Sequence, residues 1–222
     1  METYIVTLTG VSPLLMHRDN LSFSEAIKNW QKDPQNKEFS HAGDDRSPAW
    51  TWLGSCYTDG KILGMDSDNL MTCLREGGTK VKTGKKSETY KKQTQSGLMV
   101  MDVCSPLYVN GKTIPWEPLK ALNGVMDFEK HEQTATDLGF ELFVKRAKIG
   151  SAKHVRVRPM FRNWSVVAKI SIIDPEVSGI NKAILQRILD CAGAQCGLCD
   201  WRPSSRTPGS FGRFVATLEP AA

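Results

Sequence analysis

From Trp201 to Phe214 the chain sets three aromatics, Trp201, Phe211 and Phe214, among three arginines, Arg202, Arg206 and Arg213, with no acid between them. Glycines at 193, 197, 209 and 212 punctuate the same region. Guanidinium groups pair with phosphates and stack on bases, and aromatic rings stack on bases for about 1–3 kcal/mol each. Glycine lets a backbone approach a ligand closely and turn its N–H groups toward phosphate. The chemistry of this stretch is recognition of a polyanion with planar groups. Trp201, in a polar loop, is its best stacking candidate. Phe214 alternates with Ala216 and Leu218 and reads as core of a closing strand, and Phe211 admits the same reading.

Two other segments carry concentrated positive charge. Thr79 to Lys92 holds Lys80, Lys82, Lys85, Lys86, Lys91 and Lys92 against Glu88 alone. Lys145 to Arg162 has no acid and contains Lys145, Arg146, Lys148, Lys153, Arg156 and Arg158 together with His154. The whole chain has a net charge of only +5, so it is the clustering that points to a polyanionic partner. Val155 and Val157 alternate with His154, Arg156 and Arg158, giving a strand one apolar and one cationic face.

Covalent and metal chemistry have few candidates. Cys191, Cys196 and Cys199 have a spacing used for zinc and iron–sulfur ligation, but no Cys or His follows to complete a set. Cys191 falls in the last turn of an apolar helix, where a small buried residue belongs, so no metal site and no cofactor is expected. His17, with Arg18 beside it just after the first strand, is the one histidine placed to act as a general acid or base. Asp44-Asp45 reads as an acidic surface turn. P-loop, G-x-S-x-G and H-E-x-x-H patterns are absent from the sequence.

The elements that must position these residues follow from periodicity. Tyr4, Val6 and Leu8 alternate with Thr3, Thr7 and Thr9 as a half-buried strand. Phe23, Ala26, Ile27 and Trp30 form a short amphipathic stretch stopped by Pro34, and 36–48 reads as a loop. Asp59-Gly60 signals a tight turn. Asp66-Ser67-Asp68 caps a helix carrying Leu70, Met71, Cys73 and Leu74, which ends at Gly77-Gly78. Residues 79–97, nearly free of apolar side chains, read as an exposed arm, and 98–103 as a strand. The strand around Val155 and the strand Trp164–Ile172 are expected to pair as a hairpin about Arg162-Asn163. A helix over 180–189 and a strand over 211–218 complete the chain. The order is strand, helix, strand, strand, helix, strand: an α+β, ferredoxin-like or RRM-like antiparallel sheet. The chain reads as one domain, 1–222, with a core of about 1–14, 60–78 and 153–222 and insertions of about 15–59 and 79–152.

Three stretches resemble the RAMP superfamily, which builds CRISPR effector backbones and processes their guide RNAs. They are Ile5–Leu14, Asp59–Ser67 running into the helix with Leu70, Leu74 and Arg75, and the Gly193–Phe214 region ending Gly209-Ser210-Phe211-Gly212-Arg213-Phe214. Leu63 stands where that family usually has proline. The resemblance covers about half the chain and is closest to small phage- or plasmid-encoded relatives. It implies a non-catalytic protein that coats single-stranded RNA, or single-stranded DNA, as a head-to-tail homo-oligomer forming a helix or arch, with other effector-complex subunits as further partners and the lysine arm as a thumb. Two alternatives stand beside it: a metal-independent endoribonuclease using His17, and a protein mimic that interferes with CRISPR complex assembly. Without a long apolar run or a basic leader, and with cysteines too sparse for a disulfide scaffold, the chain is expected in the cytoplasm with reduced thiols.

Overall fold

The computed structural model describes residues 1–84, 87–149 and 152–221; Lys85 and Lys86 of the lysine arm lie outside the described residues. The strands are β1 (Glu2–Gly10), β2 (Leu14–Leu15), β3 (Gly64–Asp66), β4 (Leu98–Val100), β5 (Cys104–Val109), β6 (Lys112–Thr113), β7 (Glu141–Ile149), β8 (Ala152–Phe161), β9 (Trp164–Ile172) and β10 (Phe214–Pro220). The helices are α1 (Leu21–Lys32), α2 (Ser67–Gly78), α3 (Lys91–Gly97), α4 (Glu117–Lys120), α5 (Phe128–Asp137), α6 (Pro175–Ser178) and α7 (Lys182–Cys191). The molecule is a mixed α+β protein with antiparallel sheets. Among the described residues no helix is long and apolar enough to cross a membrane.

The larger sheet runs β10-β1-β9-β5-β3, with β4 also on β9 and β6 on β5. Its register follows from alternation. Val6 pairs with Ala168 and Leu218, and Leu8 with Val166 and Ala216, so Tyr4, Val6 and Leu8 join Val166, Ala168 and Ile170 on the buried face. α2 and α7 cover that face. Leu70, Cys73, Leu74 and Gly77 fall at helical spacing on one side of α2, and Leu185, Ile188 and Leu189 do so on α7. Where the two helices meet, a Cβ on Gly77 would lie 2.5 Å from the Ile188 carbonyl oxygen, so glycine sets their separation. Asn181 caps α7 by accepting from the Ile184 N–H (3.0 Å).

A second, smaller sheet runs β2-β8-β7 and corrects the expected hairpin: β8 pairs with β7 over nine residue pairs and with β2, while β9 belongs to the larger sheet. Alternation in β8 reports which face is apolar; it carries no information on which strand lies alongside. The neighbouring stretch 141–149, which shows no clean alternation, is the partner. Residues 98–109, expected within an insertion, therefore lie against β9 at the centre of the larger sheet, and 152–161 lie outside it.

The lysine arm is also corrected in part. Val81 is buried, the Tyr90 N–H donates to the Val81 carbonyl, and 91–97 is a helix packed near α2 and α6. Small residues allow this. A Cβ on Gly97 would lie 2.6 Å from Ser178 Cβ, and one on Gly78 would lie 2.5 Å from Thr94 Oγ1. Packing through Thr94, Gly78 and Gly97 leaves no mark on hydrophobicity, which is why the segment reads as unpacked.

Between β2 and β3, α1 leans on a 3-10 segment, Ala49–Ser55, through an edge-on Phe23–Trp50 contact (5.5 Å). Trp52 is wholly buried there beside His131 and Phe140.

Candidate nucleic-acid interface

The β7–β8 register divides the basic residues between two faces. Cross-strand partners share a face, so Phe143 and Arg158, Lys145 and Arg156, and Ala147 and His154 point one way. Arg146, Lys148 and Lys153, with Val144 and Val155, point the other way.

The first face meets the loop before β10. Phe143, Trp201 and Phe211 form a triangle with centroids 6.0, 5.8 and 6.3 Å apart, and Lys145 Nζ stands 4.7 Å from the Trp201 ring centroid. That ammonium over an indole face is a cation–π contact. Beside the triangle runs an open groove of about 500 Å³, lined on one side by Lys145, Arg146, Ala147 and Lys148 and on the other by Trp201 and residues 207–211. Lys145, Arg146, Lys148 and Trp201, proposed from two separate stretches of the sequence, all line this groove.

The loop that presents Trp201 is built with care for its backbone. Cys199 (φ +62°) and Trp201 (φ +47°) both occupy the left-handed region, which costs a non-glycine residue about 1–3 kcal/mol and persists only where neighbours over-determine it. Here they do. The Asp200 N–H donates to the Leu15 carbonyl (3.0 Å), and the Asp200 carboxylate accepts from the Trp201 N–H (3.0 Å). Arg202 donates to the Cys199 carbonyl (3.0 Å) and to Glu76 (3.2 Å).

The glycines of this region serve the chain itself, which corrects the expectation that they open the backbone to a ligand. A Cβ on Gly209 would collide with the Trp201 carbonyl oxygen, one on Gly212 with that of Leu198, and one on Gly193 with that of Phe214. A Cβ on Gly197 would lie 2.9 Å from Pro203 Cδ.

A second cluster lies in a narrow polar cleft of about 190 Å³ lined by His17, Arg18, Asn20, Asp45, Ser55, Arg156 and Arg158 among others. Asp45 is buried and organises it. Its carboxylate accepts from Arg156 (2.7 Å), Arg158 (3.1 Å) and the Val157 N–H (3.2 Å). Asp200 lies 3.3 Å from Arg158 Nε and 3.5 Å from His17 Nδ1. Burial, then the Arg158 charge, holds the His17 imidazole below its ordinary pKa, with Asp200 pulling the other way. The expected cationic face of β8 is therefore charge-compensated. Asp44, read with Asp45 as a surface turn, pairs instead with Arg46 (2.7 Å), which holds its carboxyl below the usual range.

The remaining proposed residues are spread out. Lys80, Lys82, Lys91 and Lys92 are exposed but lie outside the groove lining. Lys153 is exposed opposite Lys148, and Arg206 is exposed in the loop after Trp201. The His154 ring packs on Gly43, where a Cβ would clash with it. Arg202 braces the Trp201 loop, and Arg213 donates to the Ala194 carbonyl (2.6 Å). Arg18 sits 4.0 Å from Asp66 and 6.0 Å from the Tyr57 ring centroid. Phe214 is core. Cys196 and Cys199 are buried, and burial pushes their thiols up to about 11 and about 12. Among the described residues no group of three His, Cys, Asp or Glu side chains is placed to hold a metal ion.

Two residues of the site, Phe143 and Asp200, escaped the sequence reading, and Asp45, read there as part of a surface turn, is buried. The one signal for Phe143 is its place two positions before Lys145, which puts both on the same face of an extended strand. The two aspartates act through partners more than 40 positions away, which no local pattern encodes. No family model matches the chain, and no curated protein matches it.

Proposed function

We propose that this protein is a non-catalytic single-strand nucleic-acid-binding protein whose strand lies in the groove between β7 and the 201–211 loop. The observation that carries the reading is the groove itself: an aromatic triangle with a lysine over its indole, walled by a basic strand. Base stacking on aromatic side chains beside a cationic track is the general physical solution to holding a flexible single strand without reading its sequence. RNA is the favoured ligand and single-stranded DNA the alternative, with many copies coating one strand.

A ferredoxin-like core accompanies the proposal. It is supported by the order β10-β1-β9-β5, with α2 between β1 and β4–β5, α7 between β9 and β10, and both helices on one face. On that core the stretches 59–67, leading into α2, and 209–214, leading into β10, support a place in the RAMP superfamily, and with it membership of a CRISPR-backbone-like assembly.

The test is electrophoretic shift of labelled single-stranded RNA and DNA of about 40 nucleotides, several times the footprint of one single-strand-binding domain. Laddered, salt-sensitive shifts are expected; no shift with either strand would sink the proposal. A second reading, a metal-independent endoribonuclease, is favoured by His17 lying against Asp200 beside Arg158. Intact RNA after long incubation with the protein, or cleavage unchanged in His17→Ala, rejects it.

A further inference from the structure

The polar cleft beside β8 holds more hydrogen-bond donors than the protein itself uses. Residues 43–45 run alongside β8, with the Val155 N–H donating to the Gly43 carbonyl (2.8 Å) and the Asp45 N–H to the Val155 carbonyl (3.0 Å). This anchors Asp45 where both arginines reach it. Its carboxylate is then fully engaged, one oxygen on Arg156, the other on Arg158 and the Val157 N–H. The guanidinium groups are not. Among the described residues only Nη1 of Arg156 has an acceptor, and Nη2 of Arg158 has none. The two side chains are 29% and 11% exposed, so their remaining N–H groups face a confined space in which an unmet donor is costly.

The rest of the lining comes from the chain after β2, from α1 and from the 3-10 segment. Ser55, 6% exposed, lines the cleft, and its hydroxyl has no partner among the described residues. Arg18 and Asn20 line it too, and Asn20 Oδ1 already accepts from the Phe23 N–H (3.1 Å), which leaves its NH₂ group unpaired. Two carboxylates belong to the lining: Asp45, fully engaged, and Asp19, exposed. A space bounded by unmet donors, with its buried acceptor used up, suits a ligand made of acceptors. Phosphate is such a ligand, and guanidinium forks match its geometry. The cleft, at about 190 Å³, is smaller than the roughly 300–1,000 Å³ of a pocket for a whole small molecule. It has room for one phosphate group and not for a strand passing through.

The cleft adjoins the groove. Arg158 lies across from Phe143 of the aromatic triangle and Arg156 across from Lys145, all on one face. Asp200, next to Trp201 in the chain, touches both Arg158 and His17. We propose that the cleft binds a terminal phosphate, the phosphomonoester at the end of a strand whose last base stacks on the triangle of Phe143, Trp201 and Phe211. A monoester offers three acceptor oxygens and a chain that leaves in one direction, which suits a small donor-lined cleft beside a stacking surface. An internal diester offers two and needs room on both sides. The phosphate site stands on the cleft alone, while its assignment to a strand end rests on the groove reading. Coating along a strand is indifferent to its ends; this site makes the protein prefer a phosphorylated one.

The experiment compares short single-stranded RNAs of one sequence, internally labelled, carrying a 5′-phosphate, a 3′-phosphate or hydroxyls at both ends. Fluorescence anisotropy with the full chain is expected to show one phosphorylated strand bound about tenfold more tightly than the hydroxyl strand, the worth of one or more hydrogen bonds to a charged group. Inorganic phosphate should abolish the preference. So should Ser55→Ala, which removes a hydroxyl that no other residue uses. Arg156→Lys keeps a charge for Asp45 and loses the fork, and it should weaken the preference too; circular dichroism checks that both variants fold. Equal binding of all three strands by wild type, or a preference untouched in both variants, would overturn the strand-end assignment. Calorimetric titration with inorganic phosphate alone judges the cleft without any strand. Saturable binding weakened in Ser55→Ala supports the site even where no oligonucleotide binds and the groove reading fails. Such binding without any end preference gives the cleft to a free phosphorylated ligand instead. No saturable binding of phosphate by wild type overturns the site itself.

Discussion

Asp45 shows how far a single buried carboxylate can reorganise a basic surface. It accepts from two guanidinium groups and a backbone N–H, and Arg158, against which it lies, has a side chain only 11% exposed. Removing one partner of such an arrangement leaves buried charge uncompensated, which costs more than the pair itself contributes. Asp45→Ala is therefore expected to destabilise the protein by about 3 kcal/mol, read as a lower denaturation midpoint in urea with an unchanged slope. An unchanged midpoint would show that water compensates both arginines. Arg156 and Arg158 also mark what the sequence could express at this scale. Their alternation with Val155 and Val157 correctly gave them a face, and their residue type gave them a charge. The neutralising partner lies more than a hundred positions away, and local spacing carries nothing about it. Trp201 and Lys145 were each legible as ligand-binding types, while their meeting at 4.7 Å depends on the fold alone.

Among the elements, those with strong periodicity were readable and those held by small residues or by distant strands were not. β1, α1, α2, α7, β9 and β10 follow from apolar spacing, caps and glycine stops. α3 packs through Thr94 and Gly97, and the partner of β8 is a stretch whose own alternation is weak. Helix contact by glycine makes a sharp prediction. Gly77→Ala places a methyl 2.5 Å from the Ile188 carbonyl oxygen and 2.8 Å from Ala192 Cβ, so α2 and α7 must separate. The cost should be about 1–3 kcal/mol, the usual penalty of overpacking, although alanine favours a helix over glycine. A variant as stable as wild type would mean the helices slide apart freely. The 3-10 segment before β3 and helix α5 are joined by another buried element contact. The Trp52 indole N–H donates to His131 Nδ1 (3.0 Å), and His131 Nε2–H donates to the Val125 carbonyl (2.9 Å). That pattern requires the neutral ring, since a proton on Nδ1 would face the indole N–H. Burial holds the His131 pKa below its ordinary value, against the opposing pull of the Val125 carbonyl and Asp127. The unfolded chain, with an ordinary histidine near pH 6.5, then takes up a proton that the folded chain refuses. Stability is full above that pH and falls as pH drops below about 6.5 toward the folded value, by up to about 1.4 kcal/mol per pH unit for one group. His17, shifted the same way but more exposed, adds less. Urea midpoints measured from pH 7.5 down to pH 5 check the sign; His131→Gln should flatten the curve, and a wild-type curve flat across that range would contradict the account.

At the scale of the whole molecule, a modest net charge and a localised basic wall lead to a prediction about how binding free energy divides. Each phosphate contact releases condensed counterions, so for a single strand the logarithm of affinity falls against the logarithm of salt with a slope near −0.7 per contact. Stacking on Trp201 releases no counterions and leaves that slope alone. The two contributions can be separated on one protein by comparing variants across a salt series, using fluorescence anisotropy with a short single-stranded RNA. Lys145→Ala should make the slope shallower by about 0.7, with its deficit in affinity shrinking as salt rises. Trp201→Ala should lose about 1–3 kcal/mol at every salt concentration, roughly 5- to 150-fold, with the slope preserved. Because Lys145 stands over the Trp201 ring, the pair is also coupled. The double variant should lose less than the sum of the singles, by the free energy with which the cation and the indole hold each other in place. Equal slopes for wild type and Lys145→Ala would place the phosphate path elsewhere, on the exposed lysines of the 79–92 segment. An affinity insensitive to Trp201→Ala would remove the aromatic triangle from the interface and leave a purely electrostatic groove.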